Sequence, residues 1–221
     1  MKTNNLDEWT NILLSNYEYD PLGIIKQIQY VRYSYTKEYA QTRYMNKLAE
    51  LMSYLRLGYI LGSIKHTPQS LLDVGYGTGA FLQCSSNIIK DTYGHDISGY
   101  PIPLCSTFEC NIFSRHYDVV TFFDSLEHFE DIYFLNKLDC NYICISVPWC
   151  HYFSDQWFDT WKHRRANEHL WHFNQQSLIK FMDSQGFDVI NTCNYEDTIR
   201  KTQDNYPNIL SGIFVNRKSL M

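Results

Sequence analysis

The sequence predicts an α/β fold, with a mostly parallel β-sheet, an antiparallel last strand and an N-terminal helical cap. Three observations predict it. Short apolar runs alternate with turn or helix patterns over residues 70–147, as in strand–helix units of parallel sheets. Two strand-like runs after residue 186 follow each other without a helix, which indicates antiparallel pairing. Residues 40–61 lack proline, have no glycine before Gly58 and are rich in Leu, Met, Ala and Glu, which favours a helix.

Length and charge limit the classes of protein that fit. The 221 residues suit one domain, which we divide into the helical cap at 1–66 and a main domain at 67–221. A net charge of −5 argues against general nucleic-acid binding. No run of about 18 apolar residues suggests a membrane span, and the first residues lack the apolar region of a signal peptide. We therefore expect a cytoplasmic protein with no membrane partner, whose seven cysteines are reduced and mostly buried.

The N-terminal region reads as helical up to about residue 66. Residues 17–44 are helix-like although full of tyrosine. From residue 48 onward, apolar residues recur at helical spacing and predict one buried face. These residues are Leu48, Leu51, Met52, Leu55 and Tyr59.

The later elements follow from apolar runs and their punctuation. Strands are predicted at 70–74, 92–96, 117–123, 141–147, 187–190 and 208–216. Helices are predicted at 78–89 and 126–138, and a third is capped by Asn174 and ended by Gly186. Only eight residues, 97–104, separate the second and third strands, which is too short for a helical crossover of about 10–12 residues.

A glycine-rich turn ends the first strand of the predicted sheet. Gly75, Gly77 and Gly79 follow Asp73 with the spacing G-x-G-x-G, and a helix follows. Such glycines permit a tight turn and close approach of a ligand to the backbone. Asp96 ends the next strand, where an acid can accept hydrogen bonds from both hydroxyls of a ribose.

Five segments together resemble a known family. They are 71–79 (LLDVGYGTG), 94–98 (GHDIS), 117–128 (YDVVTFFDSLEH), 145–148 (ISVP) and 168–173 (EHLWHF), the last followed by a helix that ends at Gly186-Phe187. In this order they resemble class I S-adenosylmethionine-dependent methyltransferases, and within these the branch that includes the ubiquinone-type enzymes. The resemblance covers about residues 70–195 and implies a Rossmann-like sheet. It also implies S-adenosylmethionine as cofactor, with S-adenosylhomocysteine as the product.

The resemblance also implies roles for residues. Asp73 and the backbone from Gly75 through Tyr76 and Gly77 to Gly79 would hold the methionine part of the cofactor. The remaining cofactor contacts would come from the ends of the next strands. Asp96 would bind the ribose, Ile97 would pack on the adenine, Glu109 or Asn111 would receive the adenine amino group, and Phe123 and Asp124 would lie near the sulfonium. Arg56 could meet the cofactor carboxylate, since its helix leads into the first strand.

Two histidines are candidate general bases, His128 and His169. His128 has a structural alternative, because a first-turn residue of a helix can simply anchor a loop. Glu127 has the same alternative, as an acid favoured by the helix dipole.

The segment 149–173 holds four tryptophans and four histidines and follows the fifth strand, where ligands bind in open α/β sheets. One interpretation is a lid over a methyl acceptor, in which Trp149, His172 and Arg164 or Arg165 face the acceptor together with Tyr30 and Tyr33 of the cap. The alternative is an insertion stabilised by its own aromatic packing. A zinc site on Cys150, His151, His169 and His172 lacks a motif spacing, so we predict no metal.

The predicted function is methyl transfer from S-adenosylmethionine to a small-molecule or glycan-like acceptor. Two alternatives stay open: a protein or RNA methyltransferase, and a non-catalytic module that only binds the cofactor. The acceptor atom and the oligomeric state are not written in the sequence.

Overall fold

The computed structural model describes residues 16–38, 47–200, 202 and 205–220. Expectations for residues 1–15 and 39–46 lie outside these ranges. The strands are β1 Tyr17–Tyr19, β2 Ile25–Gln27, β3 Ser70–Val74, β4 Asp91–His95, β5 Thr107–Phe108, β6 Tyr117–Phe123, β7 Cys140–Pro148, β8 Trp171–His172, β9 Phe187–Cys193 and β10 Ile209–Asn216. The helices are α1 Lys47–Ile64, α2 Ala80–Ser85, α3 Asp155–Thr160 and α4 Gln175–Ser184.

A seven-stranded sheet has the order β5-β4-β3-β6-β7-β10-β9. The first five strands in this order, from β5 to β7, run parallel to one another. Strand β10 is antiparallel to both β7 and β9. This confirms the predicted mostly parallel sheet with an antiparallel last strand. From β3 the chain steps outward to β4 and β5, then returns to β6 on the other side. The carboxyl ends of β3 and β6 therefore form a switch point, where ligands bind in such sheets.

Successive residues of the central strands face opposite layers. Leu72 and Val120 point into the core that contains α4, whereas Leu71 and Val119 point into the core that contains α1 and α2. All four are fully buried, as expected for strands covered on both faces. α1 is thus part of one helical layer of the sheet, and the division of the chain at residue 67 stays a prediction.

Helix α1 confirms part of the predicted helical region, but of the expected apolar face only Met52 is buried. Leu48 and Leu51 are each 55% exposed. The buried face is instead Leu57, Ile60 and Ile64, which pack against β3 and α2. Apolar residues occur on every side of this helix, so their spacing alone did not select the face that docks.

The helix-like interpretation of residues 17–44 is wrong for 17–27. Strands β1 and β2 form an antiparallel hairpin, which β8 extends to a three-stranded sheet. Asp20 Oδ1 accepts hydrogen bonds from the backbone N–H groups of Leu22 and Ile24, and Gly23 supplies a φ of +82°. This turn chemistry overrides the helical propensity nearby.

Two further elements are shorter than predicted. The predicted helix at 126–138 is two single 3₁₀ turns, Leu126–His128 and Leu135–Lys137, and α2 covers only six residues. In contrast, the predicted cap of α4 is confirmed, because the side chains of Asn174 and Ser177 each accept a hydrogen bond from the other's backbone N–H. Residues 97–104 form no helix, as expected.

The seven cysteines carry free thiols, four of them buried and two, Cys105 and Cys110, exposed. Among the described helices, none combines the length and hydropathy that crossing a membrane requires.

Candidate active site

A cavity of about 240 Å³ opens at the switch point, at the carboxyl ends of β3, β4 and β6. Its floor comes from the sheet, through Val74, Gly75, Gly77, His95, Asp96, Ile97, Ser98, Asp124 and Ser125. Its walls and cover come from the N-terminal segment (Tyr30, Arg32, Tyr33, Tyr35), the turn after β6 (His128, Phe129, Glu130) and the segment before β8 (Asn167, Glu168, Leu170). Regions distant in sequence therefore meet at one site.

The glycine-rich turn packs tightly against other parts of the protein. Gly75, Gly77 and Gly79 all have positive φ, at +85°, +57° and +78°. A Cβ on Gly75 would lie 2.6 Å from Cβ of Ser125, and one on Gly79 would lie 2.4 Å from the ring of Pro103. Protein neighbours thus require glycine at two positions that the sequence explained by a tight turn and the approach of a ligand. Gly75 and Gly77 line the cavity, and Gly79 lies behind them at the start of α2.

Asp96 is fixed at the end of β4 by two backbone donors. The N–H of Gly77 donates to Oδ2 (2.9 Å) and the N–H of Ser98 donates to Oδ1 (2.7 Å). A carboxylate has about four lone-pair sites, so both oxygens can still accept from a ligand in the cavity. Ile97 lies beside it on the cavity wall with 69% of its surface exposed. Both residues therefore line the cavity, and their roles toward ribose and adenine stay predictions.

Four other predicted cofactor residues do not line the cavity. Tyr76 is buried and its hydroxyl donates to the carbonyl of Tyr100. Phe123 is buried at the end of β6, with the guanidinium of Arg56 4.3 Å above its ring. Asn111 is exposed, and its side chain accepts from the N–H of Phe113. Asp73 is the fourth.

Asp73 is buried beneath the turn and accepts a hydrogen bond from the Thr121 hydroxyl at 2.7 Å. Burial raises the pKa of its carboxyl to about 6, although the bond from Thr121 opposes this. The ionised form is therefore costly in the protein alone, and a cationic group in the neighbouring cavity would favour it.

Asp124 belongs to a buried network of two acids and two arginines. Arg200 binds Asp124 through two hydrogen bonds, and Arg56 Nη2 lies 2.8 Å from the same carboxylate. Glu196, fully buried, pairs with Arg56 at 2.7 Å and with Arg200 at 3.0 Å. Although burial opposes ionisation, the Arg200 and Arg56 guanidinium groups hold the pKa of Asp124 below its usual value. Arg56 is thus engaged with side chains of the chain itself, at the position where the cofactor carboxylate was expected.

The two predicted bases are neighbours, with ring centroids 4.7 Å apart. His128 lines the cavity, whereas His169 lies behind it. Nδ1 of His128 is 2.8 Å from the carbonyl of Glu168 and 2.6 Å from the hydroxyl of Tyr35. Burial lowers the pKa of both imidazoles, for His169 with a contribution from His128. Both rings are therefore neutral near pH 7.

The N-terminal segment at residues 27–33 is in contact with the aromatic segment at 149–173. Asn167 joins them, because its side-chain oxygen accepts from the N–H of Val31 and its own N–H donates to the Gln27 side chain. Tyr30 and Tyr33 line the cavity from one side, and residues 167–170 line it from the other.

The tryptophans, however, do not face this cavity. Trp157 and Trp161 stack on each other at 5.3 Å, and Trp149 stacks on His151. The Trp171 indole donates to the carbonyl of Phe129 and packs in the core. The geometry therefore favours the alternative in which the insertion is stabilised by its own rings.

Two more predicted acceptor residues lie in this aromatic packing. Arg164 pairs with Asp159 at 2.8 Å and lies 5.9 Å from the ring of Tyr17. His172 is buried in β8 against Phe158, and burial lowers its pKa to about 3. The structure does not bring either side chain, or that of Trp149, to the cavity.

Several residues in or next to the cavity lining were missed by sequence reasoning. Arg200 and Glu196 follow β9, outside the motifs, and the only local sign is their i, i+4 spacing. Tyr35 and Asn167 reach the site through the small sheet, whose pairing joins segments 140 residues apart. Nothing in the sequence near either residue indicates that contact.

Comparison with known proteins agrees with this geometry. A family model described as a methyltransferase domain matches residues 37–192, which is more than half of the chain. The chain belongs to the methyltransferase domain family. This membership confirms the expected enzyme class, an S-adenosylmethionine-dependent methyltransferase. It also confirms the expected cofactor, S-adenosylmethionine.

Solved structures of low sequence identity share the fold. The Burkholderia thailandensis 1,6-didemethyltoxoflavin-N1-methyltransferase, with bound 1,6-didemethyltoxoflavin and S-adenosylhomocysteine, has a TM-score of 0.58 at 12% identity and covers 91% of this chain and 99% of its own. The putative methyltransferase in complex with the Haloferax volcanii Trm112 activator has a TM-score of 0.56 at 13% identity, covering 81% and 96%. The magnesium protoporphyrin IX methyltransferase of Synechocystis has a TM-score of 0.53 at 16% identity, covering 76% and 84%. No curated protein matches the sequence.

Proposed function

We propose that this methyltransferase domain transfers the methyl group to a small-molecule acceptor, of which a glycan-like molecule is one case. The observation that carries the proposal is the cover of the cavity. Tyr30, Tyr33 and Tyr35 on one side and Asn167 with Leu170 on the other narrow the opening above the carboxyl ends of the strands. A protein or RNA acceptor would need a more open approach than this cover leaves.

The residues at the sheet edge fit S-adenosylmethionine. In the proposal, Asp96 accepts hydrogen bonds from the ribose hydroxyls and Ile97 packs against the adenine. The turn from Gly75 to Gly79 holds the methionine part, and the costly ionised form of Asp73 gains from the nearby cationic cofactor. The cofactor supplies an activated methyl group, so the chain has to align the acceptor, exclude water and accommodate a proton.

We propose that His128 receives that proton in the protein without a bound metal ion. It is neutral, it lines the cavity and the carbonyl of Glu168 accepts from its Nδ1. Its lone pair is therefore on Nε2. His169 supports it from behind, at ring contact. The motifs at 124–128 and 168–173 also support placing the chain in the ubiquinone-type branch, which stays part of the proposal.

Two further solved structures share the fold at low sequence identity. One is a plantazolicin methyltransferase with a TM-score of 0.54, and another is the methyltransferase domain of a bacterial Hen1 with a TM-score of 0.51. A protein or RNA acceptor is the second candidate, and a binding-only module is the third.

An assay with radiolabelled methyl donor separates the three candidates. Purified full chain is incubated with the donor and, separately, with hydroxylated and amine-bearing aromatic compounds, sugars, peptides and RNA oligonucleotides. We expect transfer to members of the small-molecule set, and a loss of about 10²–10⁴-fold in rate for His128→Gln. The matched control is His116→Gln, an exposed histidine paired with Asp139. Transfer only to peptides or RNA would reject the acceptor class, and donor binding without transfer to any acceptor would indicate the binding-only module.

A further inference from the structure

Glu127, His128 and His169 converge beside the cavity. Each offers one ligand atom, and the three atoms lie within 4.8 Å of one another. Nε2 of His128 is 3.8 Å from Oε1 of Glu127. Ligands of a tetrahedral ion with bonds of ~2 Å stand roughly 3.3 Å apart, so small side-chain rotations would bring these atoms into a coordination shell.

Both histidines are held in the tautomer that a metal requires. Nδ1 of His128 faces the carbonyl of Glu168 at 2.8 Å, and Nδ1 of His169 faces the carbonyl of His163 at 2.7 Å. A carbonyl oxygen only accepts, so each Nδ1 carries the hydrogen and each neutral ring has its lone pair on Nε2. At His128 the Tyr35 hydroxyl, 2.6 Å from Nδ1, is then a second acceptor of the same hydrogen. Metal-binding histidines are usually oriented by such a bond from the opposite ring nitrogen.

Among the described residues, no hydrogen bond offsets the cost of burying the Glu127 carboxylate. Glu127 is fully buried, and within the described part of the chain neither of its oxygens has a hydrogen-bond partner. The two arginines whose charges act on Glu127 are engaged elsewhere, because Arg200 pairs with Asp124 and Glu196 and Arg165 pairs with Glu168. A buried carboxylate without a partner is costly, and a cation between it and two imidazoles would remove that cost.

We propose that Glu127, His128 and His169 bind a divalent transition-metal ion, for which Zn²⁺ is the test ion, at the wall of the cavity. Two imidazole nitrogens and one carboxylate form a ligand set that leaves positions open for another ligand. This site replaces the expectation of no metal, and it shares only His169 with the set of Cys150, His151, His169 and His172 that spacing disfavoured.

The cation would bind an acceptor oxygen in an open position and lower the pKa of a bound hydroxyl, while occupying the lone pair of His128. This role rests on the proposed function, whereas the site itself does not. The experiment therefore measures metal binding with neither cofactor nor acceptor present.

The test is a titration of chelator-treated full chain with Zn²⁺ in competition with a chromophoric chelator, and a parallel titration with Co²⁺ followed by its visible d–d absorption. We expect one ion per chain. Glu127→Gln, which keeps the shape of the side chain, should lower the affinity at least about 100-fold, and His169→Ala should do the same, since even loss of an outer partner typically costs 10–100-fold.

Two controls make the result specific. His116→Ala removes an exposed histidine that pairs with Asp139 and should leave the affinity unchanged. Thermal melting without metal should show Glu127→Gln at least as stable as the wild type, because the amide removes an unpaired buried charge. That result would exclude unfolding as the cause of lost binding.

No binding at tenfold excess Zn²⁺, or equal binding by wild type and Glu127→Gln, would overturn the site. Binding that depends on Glu127 and His169 would establish the site even if the chain transferred no methyl group.

Discussion

The glycine-rich turn allows the sharpest test of how the site is built, because the chain contains a matched pair of glycines. Gly75 and Gly186 have nearly the same φ, +85° and +90°. A Cβ on Gly75 would lie 2.6 Å from Cβ of Ser125, whereas one on Gly186 would meet nothing within 4 Å. Substitution by alanine therefore imposes a similar backbone strain at both positions but a steric overlap at only one.

The magnitudes follow from these distances. A left-handed conformation costs an L-residue about 1–2 kcal/mol. Forcing an extra carbon into a packed position adds about 1–3 kcal/mol, since the nearest atoms belong to Ser125 next to the backbone. We expect Gly186→Ala to lower the free energy of unfolding by about 1–2 kcal/mol and Gly75→Ala by about 2–5 kcal/mol.

Urea denaturation of both variants and of the wild type measures these differences. Gly75→Ala should also weaken S-adenosylhomocysteine binding, because the displaced turn carries the Gly77 N–H that holds Asp96. Gly186→Ala should bind the ligand as the wild type does. Equal destabilisation by the two substitutions, within 0.5 kcal/mol or so, would refute the reasoning from packing against Ser125.

Two further predictions concern buried charges. The folded protein raises the pKa of Asp73 to about 6 from 3.8, so its contribution to stability is complete below about pH 4 and is lost as pH rises through 6. The unfolding free energy of wild type minus that of Asp73→Asn should fall by up to about 3 kcal/mol between pH 4 and 7, and a pH-independent difference would contradict the raised pKa. Arg200→Met leaves Asp124 and Glu196 with one arginine and should cost about 3 kcal/mol or more. Arg217→Met, which breaks an exposed arginine–diacid contact, should cost under about 1 kcal/mol, and similar losses for both arginines would contradict a buried network.

The central strands were predictable because their signal is local. β3 and β6 begin and end where the apolar runs do, and both are fully covered strands whose residues are almost all apolar or β-branched. The cap of α4 was predictable for the same reason, since Asn174 and the first turn lie within four residues. The elements that follow from contiguous residues thus agree with the structure.

The hairpin of β1 and β2 was missed because its pairing with β8 is not local. The segment is rich in tyrosine, which helices and strands both accommodate. A turn signal was nevertheless present, since Asp20 and Pro21 precede Gly23 by two or three residues. The stronger helical pattern of residues 40–61 favoured a helical interpretation of the whole N-terminal region instead.

The candidate site shows the same difference between residues placed by local signals and residues placed by tertiary packing. Gly75, Gly77 and Asp96 lie at strand ends and were brought together as expected. Arg200 and Tyr35 approach from segments whose positions depend on tertiary packing. Of the tryptophans in 149–173, Trp149 was expected at the cavity, but Trp157 and Trp161 stack on each other and pack against a separate apolar cluster, and Trp149 stacks on His151.

The most direct measurement of the central claim is calorimetric titration of the full chain with S-adenosylhomocysteine. We expect wild type to bind. Asp96→Ala should weaken binding by about 1–3 kcal/mol, or roughly 5–150-fold, because it removes an acceptor for ribose hydroxyls. Asp91→Ala, at the exposed opposite end of the same strand, should bind as wild type does. No binding at millimolar ligand, or equal binding by wild type and Asp96→Ala, would contradict a cofactor site at the carboxyl ends of β3 and β4.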